Sequence, residues 1–341
     1  MSSDRLNVGV VGAGILGSRH ARQFAELAGA RLAAVADLNR DRAAEVAGKY
    51  GAESFGDFRS MLDMPNLDAV VIATPDHLHV APVTAALEAG KHVLVEKPLA
   101  TTVADATKLV EAAKASNRIL QVNYSQRFVP DYSWTKDQIV AGTLGRVLSM
   151  RSVMNRPISV PTEMINWAGA SSPLFFMSSH HLDLMCWYAD SPVQEVCAYR
   201  VNEVLRSRGI ETDDVVQVLV KFRNGTIATV QSSWIFPNNY GTPESLLEIV
   251  GSERVVSLGR AEAAMVYSAS ANKSVNLATS HEINGVLYGA FRNSLQHFVD
   301  SALTGTEPST SGANTLEVTR LQCAMLDSLE QGRPVVLDSP A

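Results

Sequence analysis

The sequence predicts an α/β protein of two domains, a doubly wound parallel sheet over residues 1–123 and a second domain with a mostly antiparallel sheet over 124–341. Three observations lead there. Apolar runs alternate with helical patterns through the first third, as βαβ units require. A glycine-rich turn, Gly12-Ala13-Gly14-Ile15-Leu16-Gly17, stands between the first apolar run and the first helical stretch. Past about Tyr124 the apolar runs lengthen and take period two. A chain of 341 residues also exceeds what one hydrophobic core usually serves.

Leu6 to Val11 reads as the first strand and Ile15 to Ala28 as the first helix, followed by a strand from Arg31 to Ala36 and a helix from Arg40 to Tyr50. Asp68 to Ala73, Lys91 to Val95 and Ile119 to Val122 are further strands, each nearly continuous in apolar character because both faces are to be covered. Thr102-Val103-Ala104-Asp105 resembles a capping box and opens a helix before the last of them. In the second half, Val196 to Val204, Asp214 to Phe222, Thr226 to Ser232, Ser245 to Val250 and Arg254 to Leu258 read as strands. Asn224-Gly225 is a strong hairpin signal. Helices are predicted over Gly289 to Leu303 and Thr315 to Gln331, the second stopped by Gly332 and Pro334. The segment Arg156 to Pro173, rich in Pro, Ser and Trp, reads as a loop beside a site.

Composition narrows the function classes. Hydrophobic residues make up 46% and charged residues 19%, an ordinary globular balance. No apolar stretch reaches the roughly 18 residues of a spanning helix, and Met1-Ser2-Ser3-Asp4-Arg5 shows no secretion leader, so no membrane partner and a cytoplasmic location are expected. A net charge of −6 without a lysine or arginine cluster offers no footprint for nucleic acid. Cys186, Cys197 and Cys323 are dispersed and odd in number, against a disulfide framework, and no His/Cys/carboxylate cluster stands at ligand spacing, so no metal is expected.

The glycine pattern gains weight from its context. The first glycine, Gly12, permits the tight turn, Gly14 lets the backbone approach a pyrophosphate, and Gly17 lets helix and strand pack closely. Ile15 and Leu16 open the helix whose N-terminus faces the anion. Asp37, twenty residues after Gly17 at the end of the second strand, is placed to accept hydrogen bonds from a ribose diol. It would repel the 2′-phosphate of NADP and so favours NAD, while Arg40 offers that phosphate a partner and keeps NADP open. Thr74-Pro75 closes a strand at the same carboxyl edge, to lie against ribose and nicotinamide; His79 is read equally as cofactor contact or packing. Glu96-Lys97-Pro98 follows the run His92 to Val95, so a long cation is held at the edge where ligands sit in open α/β sheets.

With Ala73-Thr74-Pro75, His79, Ala89-Gly90-Lys91-His92-Val93 and Glu96-Lys97-Pro98, the chain resembles the Gfo/Idh/MocA oxidoreductases. The likeness runs on through Thr212-Asp213-Asp214 to Gly332-Arg333-Pro334-Val335 and covers nearly the whole sequence. It implies an N-terminal Rossmann domain, a C-terminal α+β domain with a large open sheet, and assembly through that sheet into homodimers or homotetramers. It also implies NAD- or NADP-dependent oxidation or reduction at one carbon of a sugar, cyclitol or sugar derivative. The resemblance makes Lys97 the contact of the reacting oxygen. It places the acid/base histidine of a D-x-x-x-H pattern at His180, with an acidic position at Asp183 and Phe176 standing where the aspartate is usual.

Physical chemistry gives the same two residues roles of their own. Oxidation of a secondary alcohol needs its proton removed by a group titrating near the working pH, which suits His180 by type. Lys97 would need desolvation or a cationic neighbour to lower its pKa, so it is read as the donor that polarises the oxygen, with the reverse assignment open. His180 and Asp183 fall on one helical face, so Asp183 is expected to orient the imidazole or reach the substrate, and His181 points elsewhere. Tyr124, Arg127 and Trp167 are candidates to line a polyol site. Asp213 and Asp214 are read as structural. Two other readings stay open: transient-redox NAD-dependent glycoside cleavage, and a non-catalytic NAD(P)-binding sensor.

Overall fold

Val8 and Val10 lose all contact with water inside the first strand, β1 (Leu6–Val11), because parallel strands on both sides and helices on both faces enclose it. The computed structural model describes residues 5–165, 167–238, 245–259, 264–267, 272–275 and 279–339. The chain divides into two compact units, residues 1–125 with 280–319, and residues 126–279 with 320–341. The stretch 280–319 thus groups with the first unit, whereas the sequence suggested one uninterrupted second domain from 124 onward.

In the first unit, α1 (Ile15–Glu26), β2 (Ala30–Ala36), α2 (Arg40–Gly48), β3 (Glu53–Phe55), α3 (Phe58–Leu62) and β4 (Ala69–Ile72) follow β1. Then come α4 (Val80–Glu88), β5 (His92–Val95), α5 (Val103–Ser116) and β6 (Leu120–Val122). Among the described residues the strands form a six-stranded sheet in the order β3-β2-β1-β4-β5-β6, all pairs parallel. That order reverses between β1 and β4, which opens a crevice at their carboxyl ends. Thr102 caps α5, its Oγ1 accepting from the Asp105 amide at 3.1 Å and donating to the Asp105 carboxylate at 2.8 Å.

The second unit starts with α6 (Pro130–Val140), whose proline sits in the first turn, where its missing N–H costs nothing. β7 (Val147–Pro157), α7 (Ser179–Ala189), β8 (Val193–Val201), β9 (Val215–Phe222), β10 (Ile227–Phe236), β11 (Ser245–Gly251) and β12 (Val255–Leu258) follow. Two short hairpins come next, β13 (Ala264–Tyr267) with β14 (Asn272–Val275) and, in the first unit, β15 (His281–Ile283) with β16 (Val286–Tyr288). Helix α8 (Ala290–Thr304) belongs to the first unit; α9 (Gly312–Gln331) runs through the division, and β17 (Val335–Val336) ends the second unit.

The second sheet has the order β12-β11-β7-β10-β9-β8-β17 among the described residues. It is antiparallel except where β7 runs parallel to β10. Along β9, Val216, Val218, Val220 and Phe222 are buried and Gln217, Leu219 and Lys221 exposed, the alternation of a sheet packed on one face. The β9–β10 turn takes a positive φ at Gly225 alone, with the Gly225 amide donating to the Phe222 carbonyl at 3.0 Å. This is the longer hairpin loop closed by a left-handed glycine rather than a two-residue turn.

One expectation is corrected, and one strand is added to those predicted. The segment 156–173 is not a plain loop. It holds a π-helical turn, Val160–Met164, and a 3-10 turn, Ala168–Ala170, and a second π-helical turn, Leu174–Ser178, leads directly into α7. Strand β7 carries no clean alternation, since Ser149, Arg151, Ser152 and Asn155 interrupt its apolar residues; it is nonetheless central, because Ser152 and Asn155 are buried among its neighbours.

Candidate active site

The nucleotide edge of the first unit is assembled from four adjacent strand ends. In spatial order β2, β1, β4 and β5 deliver Asp37, the glycine turn, Thr74-Pro75 and Glu96-Lys97. Each glycine of the turn answers a different constraint. Gly12 has φ +92, and a Cβ there would stand 2.7 Å from the Ala73 carbonyl oxygen. Gly17 faces the Gly12 carbonyl so closely that no side chain fits. A Cβ on Gly14 would meet nothing within 4 Å, so its side lies open for another molecule's approach.

Gly14 is also the N-cap of α1, with no side-chain cap and no acidic residue in the first turn, leaving the amides and the positive end of the helix dipole for an anion. Ile15 opens that helix 77% exposed. Asp37 ties the turn to β2: its Oδ2 accepts from the Ala13 amide at 2.7 Å and its Oδ1 from the Asn39 amide at 2.8 Å. A carboxylate has about four lone-pair sites, so capacity remains for ribose hydroxyls. These residues fit a dinucleotide. The cation beside Asp37 is Arg42, at 3.5 Å, whereas Arg40 lies over Gly56.

His79 is fully buried, and its ring bridges two backbone carbonyls, Pro98 at 2.8 Å from Nδ1 and Thr74 at 3.1 Å from Nε2. Burial lowers its pKa, so the neutral ring donates to one carbonyl at a time. Both nitrogens are engaged in joining the ends of β4 and β5, which accords with the packing side of its two readings. The Thr74 Oγ1 is buried without a partner among the described residues.

Glu96 is likewise turned inward. Its Oε1 meets His20 Nε2 at 2.8 Å and accepts from Asn123 Nδ2 at 2.7 Å. Ser294 donates to Asn123 Oδ1 at 2.9 Å, and Gln121 donates to the Ser294 carbonyl at 3.0 Å. Burial opposes ionisation of Glu96, but the His20 and Asn123 hydrogen bonds and the neighbouring Lys97 charge outweigh it and hold the carboxyl at about 2. Lys97 is half-buried, and desolvation lowers its pKa against the charges of Glu96 and Asp76. The lysine thus has the desolvation on which the reverse assignment, Lys97 as the acid/base, depends. The Lys97-Pro98 peptide is cis.

In the second unit, α7 presents His180 half-buried while His181 and Asp183 are fully buried. His181 packs in the core, Nδ1 2.7 Å from Ser152 Oγ and Nε2 3.3 Å from Ser245 Oγ, and burial followed by the Arg156 charge lowers it to about 3. Asp183 does not orient the His180 imidazole. Its two oxygens accept from Arg127, Oδ2 from Nε at 2.8 Å and Oδ1 from Nη2 at 2.6 Å, and burial pushes its carboxyl up against the pull of that cation. Arg127 in turn lies 5.1 Å above the Trp187 ring. Two residues expected to line a substrate site are therefore partners of each other. Tyr124 in the first unit is buried as well, at 1% exposure.

Phe176 sits in an aromatic cluster, edge-on to Trp167 at 5.6 Å and tilted against Trp234 at 6.2 Å, within a core that includes Met154, Met177 and Leu205. An aspartate at that position would face apolar rings; the phenylalanine matches them. The residues sequence reasoning missed are His20, Asn123, Ser294 and Arg42. For His20 a signal existed: it falls in the buried stripe Gly17, His20, Ala21, Phe24 of α1, where an imidazole needs a partner.

Comparison with known proteins bears directly on this arrangement. A model described as "Oxidoreductase family, NAD-binding Rossmann fold" matches residues 6–124, and one described as "GFO/IDH/MocA C-terminal domain" matches 132–257. Inositol 2-dehydrogenase 1 of Saccharopolyspora erythraea is 31% identical over 98% of each chain. Levoglucosan dehydrogenase of Pseudarthrobacter phenanthrenivorans is 30% identical over 67% of each. Among solved structures, scyllo-inositol dehydrogenase from Lactobacillus casei with bound NAD(H) and scyllo-inositol superposes with a TM-score of 0.85 at 22% identity, covering 97% of this chain and 99% of that one. A levoglucosan dehydrogenase in complex with NADH and L-sorbose gives 0.83 at 26% identity over 99% of this chain and 100% of the other.

Proposed function

Because the chain belongs to the Gfo/Idh/MocA oxidoreductase family, we propose that it is an NAD-dependent dehydrogenase acting on one secondary hydroxyl of a cyclitol, a sugar or a sugar derivative. The observation that carries this reading is the strand edge of the first unit, where Asp37, the open side of Gly14 and the desolvated Lys97 lie on neighbouring strand ends. NAD, when bound, supplies the hydride acceptor. Gly12, Gly14, Gly17 and Asp37 would hold it, with Thr74 and Pro75 at the adjoining strand end. Lys97 donates to the oxygen of the reacting carbon, which stabilises negative charge as it develops. His180 takes the hydroxyl proton on oxidation and returns it on reduction. Arg127 and Asp183 hold α7, and Trp167 offers an aromatic face to C–H edges of the substrate.

The relatives named for inositol and levoglucosan support a polyol substrate. A cytoplasmic homo-oligomer belongs to the same proposal. Among the described residues no helix is long and apolar enough to cross a membrane. Tyr199, Val201, Leu219 and Ile227 stand on one face of β8, β9 and β10, each roughly half exposed or more, and a second copy of the chain is the partner proposed for that face.

The test is NADH formation against inositols, aldoses, sugar acids and anhydrosugars, in parallel with NADP and with Lys97→Ala. Turnover on one class, lost in the variant, is the expected result. NAD bound tightly with no net NADH from any substrate would replace it by transient-redox cleavage or a sensor.

A further inference from the structure

Among the described residues Asp37 forms one ion pair, and its partner is not the arginine nearest in sequence. Arg42 Nη2 stands 3.5 Å from Asp37 Oδ1, with the guanidinium side chain 49% and the carboxylate side chain 12% exposed. The root of Arg42 is fixed: its amide donates at 3.0 Å to Oδ1 of Asn39, the N-cap of α2, so the side chain leaves the first turn of that helix in a set direction. Arg40 leaves the same turn two positions earlier, and residues two apart on a helix do not share a face. Its side chain runs over the backbone of Gly56, with Nε, Cγ and Cδ lying 2.6, 3.0 and 3.2 Å from where a Cβ on that glycine would stand. The missing side chain at Gly56 is what gives Arg40 this seat.

A separation of 3.5 Å is longer than a well-formed hydrogen bond, so the Arg42 guanidinium is drawn to Asp37 without being locked to it, and its donors stay available. An isolated carboxylate at this strand end would repel a phosphate on the 2′ position of the adenosine ribose. A guanidinium beside it offsets that charge and matches the geometry of a phosphate. We propose that Arg42 is the specificity-determining residue for NADP: it pairs with Asp37 while the ribose carries a free 2′-hydroxyl, passes to the 2′-phosphate when NADP binds, and so sets how well the chain takes NADP beside NAD. The inference rests on the nucleotide site of the function proposed above and adds a second residue to its cofactor selection. Asp37 creates the preference for NAD, and Arg42 limits it.

Binding reads this without turnover. Calorimetric titration of the purified full chain with NADH and with NADPH gives the ratio of the two affinities, in the wild type and in Arg42→Ala, Arg42→Lys and Arg40→Ala. The same substitutions are repeated in Asp37→Ser, where the ratio is tilted toward NADPH. In both backgrounds Arg42→Ala is expected to lower the NADPH-to-NADH affinity ratio about tenfold, the worth of one charge-assisted phosphate contact. Arg42→Lys lowers it about threefold, because an ammonium keeps the charge and loses the fork. Arg40→Ala leaves the ratio within about twofold of its parent, as for an exposed charge seated elsewhere and screened by salt. An unchanged ratio in Arg42→Ala overturns the proposal, as does a loss in Arg40→Ala equal to that in Arg42→Ala. The expected ratios without turnover on any polyol would remove the dehydrogenase reading and leave the assignment of Arg42 standing.

Discussion

Arg127 and Asp183 hold each other through two hydrogen bonds, Nε to Oδ2 at 2.8 Å and Nη2 to Oδ1 at 2.6 Å, with both side chains closed to solvent. The pair joins the turn before α6 to α7, the helix that carries His180. Removing one partner leaves the other charge buried and uncompensated, so Asp183→Asn and Arg127→Met are each expected to lower the unfolding free energy by about 4 kcal/mol. The double variant Arg127→Met with Asp183→Leu recovers most of that loss. Urea denaturation of the four proteins checks this; single losses below about 1 kcal/mol would show that the pair is dispensable.

The glycines of the turn separate binding from stability. Gly14→Ala adds a methyl group into open space, so its melting temperature stays at the wild-type value while NADH affinity falls by about tenfold or more. Gly17→Ala drives a methyl group into the Gly12 carbonyl and is expected to cost about 3 kcal/mol of stability. Thermal melts together with NADH fluorescence titration distinguish the two. Equal destabilisation would contradict the roles given to them.

Acid sensitivity divides into two windows. His181 is buried and neutral, its pKa lowered from 6.5 to about 3, so the unfolded chain binds its proton first and stability falls as pH drops through that interval. Glu96, lowered from 4.5 to about 2, contributes stability that is full above 4.5 and lost as pH falls toward 2. The corresponding free energies are on the order of 5 and 3 kcal/mol. Denaturation at successive pH values is expected to show a slope already between pH 6.5 and 4.5 that His181→Gln reduces, leaving the part that buried His79 contributes, and that Glu96→Gln leaves in place. A slope confined to pH below 4.5 would mean that His181 is not held neutral.

Cofactor preference rests on Asp37. Asp37→Ser removes the charge that repels a 2′-phosphate and leaves Arg40 and Arg42 in place. The ratio of kcat/KM for NADP over NAD is expected to rise about a hundredfold, most of it from weaker NAD binding, since the serine also loosens the Ala13 and Asn39 amides. Unchanged Michaelis constants for both cofactors would defeat the assignment.

Periodicity made much of this legible. β1 has the bounds its apolar run predicts, Leu6–Val11, and Asp37 stands at the end of the second strand. Hydrophobic alternation is a local property and survives in one dimension. β7 was missed because a central strand can carry a buried serine once a neighbour satisfies it, and that neighbour, His181, is distant in sequence. The pairing of Arg127 with Asp183 lies 56 positions apart, and that of His20 with Glu96 lies 76 apart. Sequence named the residues at the strand edge; which of them hold each other needed the fold.

The discontinuity of the nucleotide unit also bears on how the protein is made. Phe291, Leu295, Phe298 and Val299 of α8 complete the core formed by β1, β2 and α1, where Phe24 meets Phe298 edge-on at 6.5 Å. On the ribosome, the first 125 residues therefore emerge with an apolar face whose cover is some 165 residues away in sequence. That face waits for about half of translation, roughly ten to thirty seconds at typical elongation rates, and in that interval it is a natural client for a chaperone.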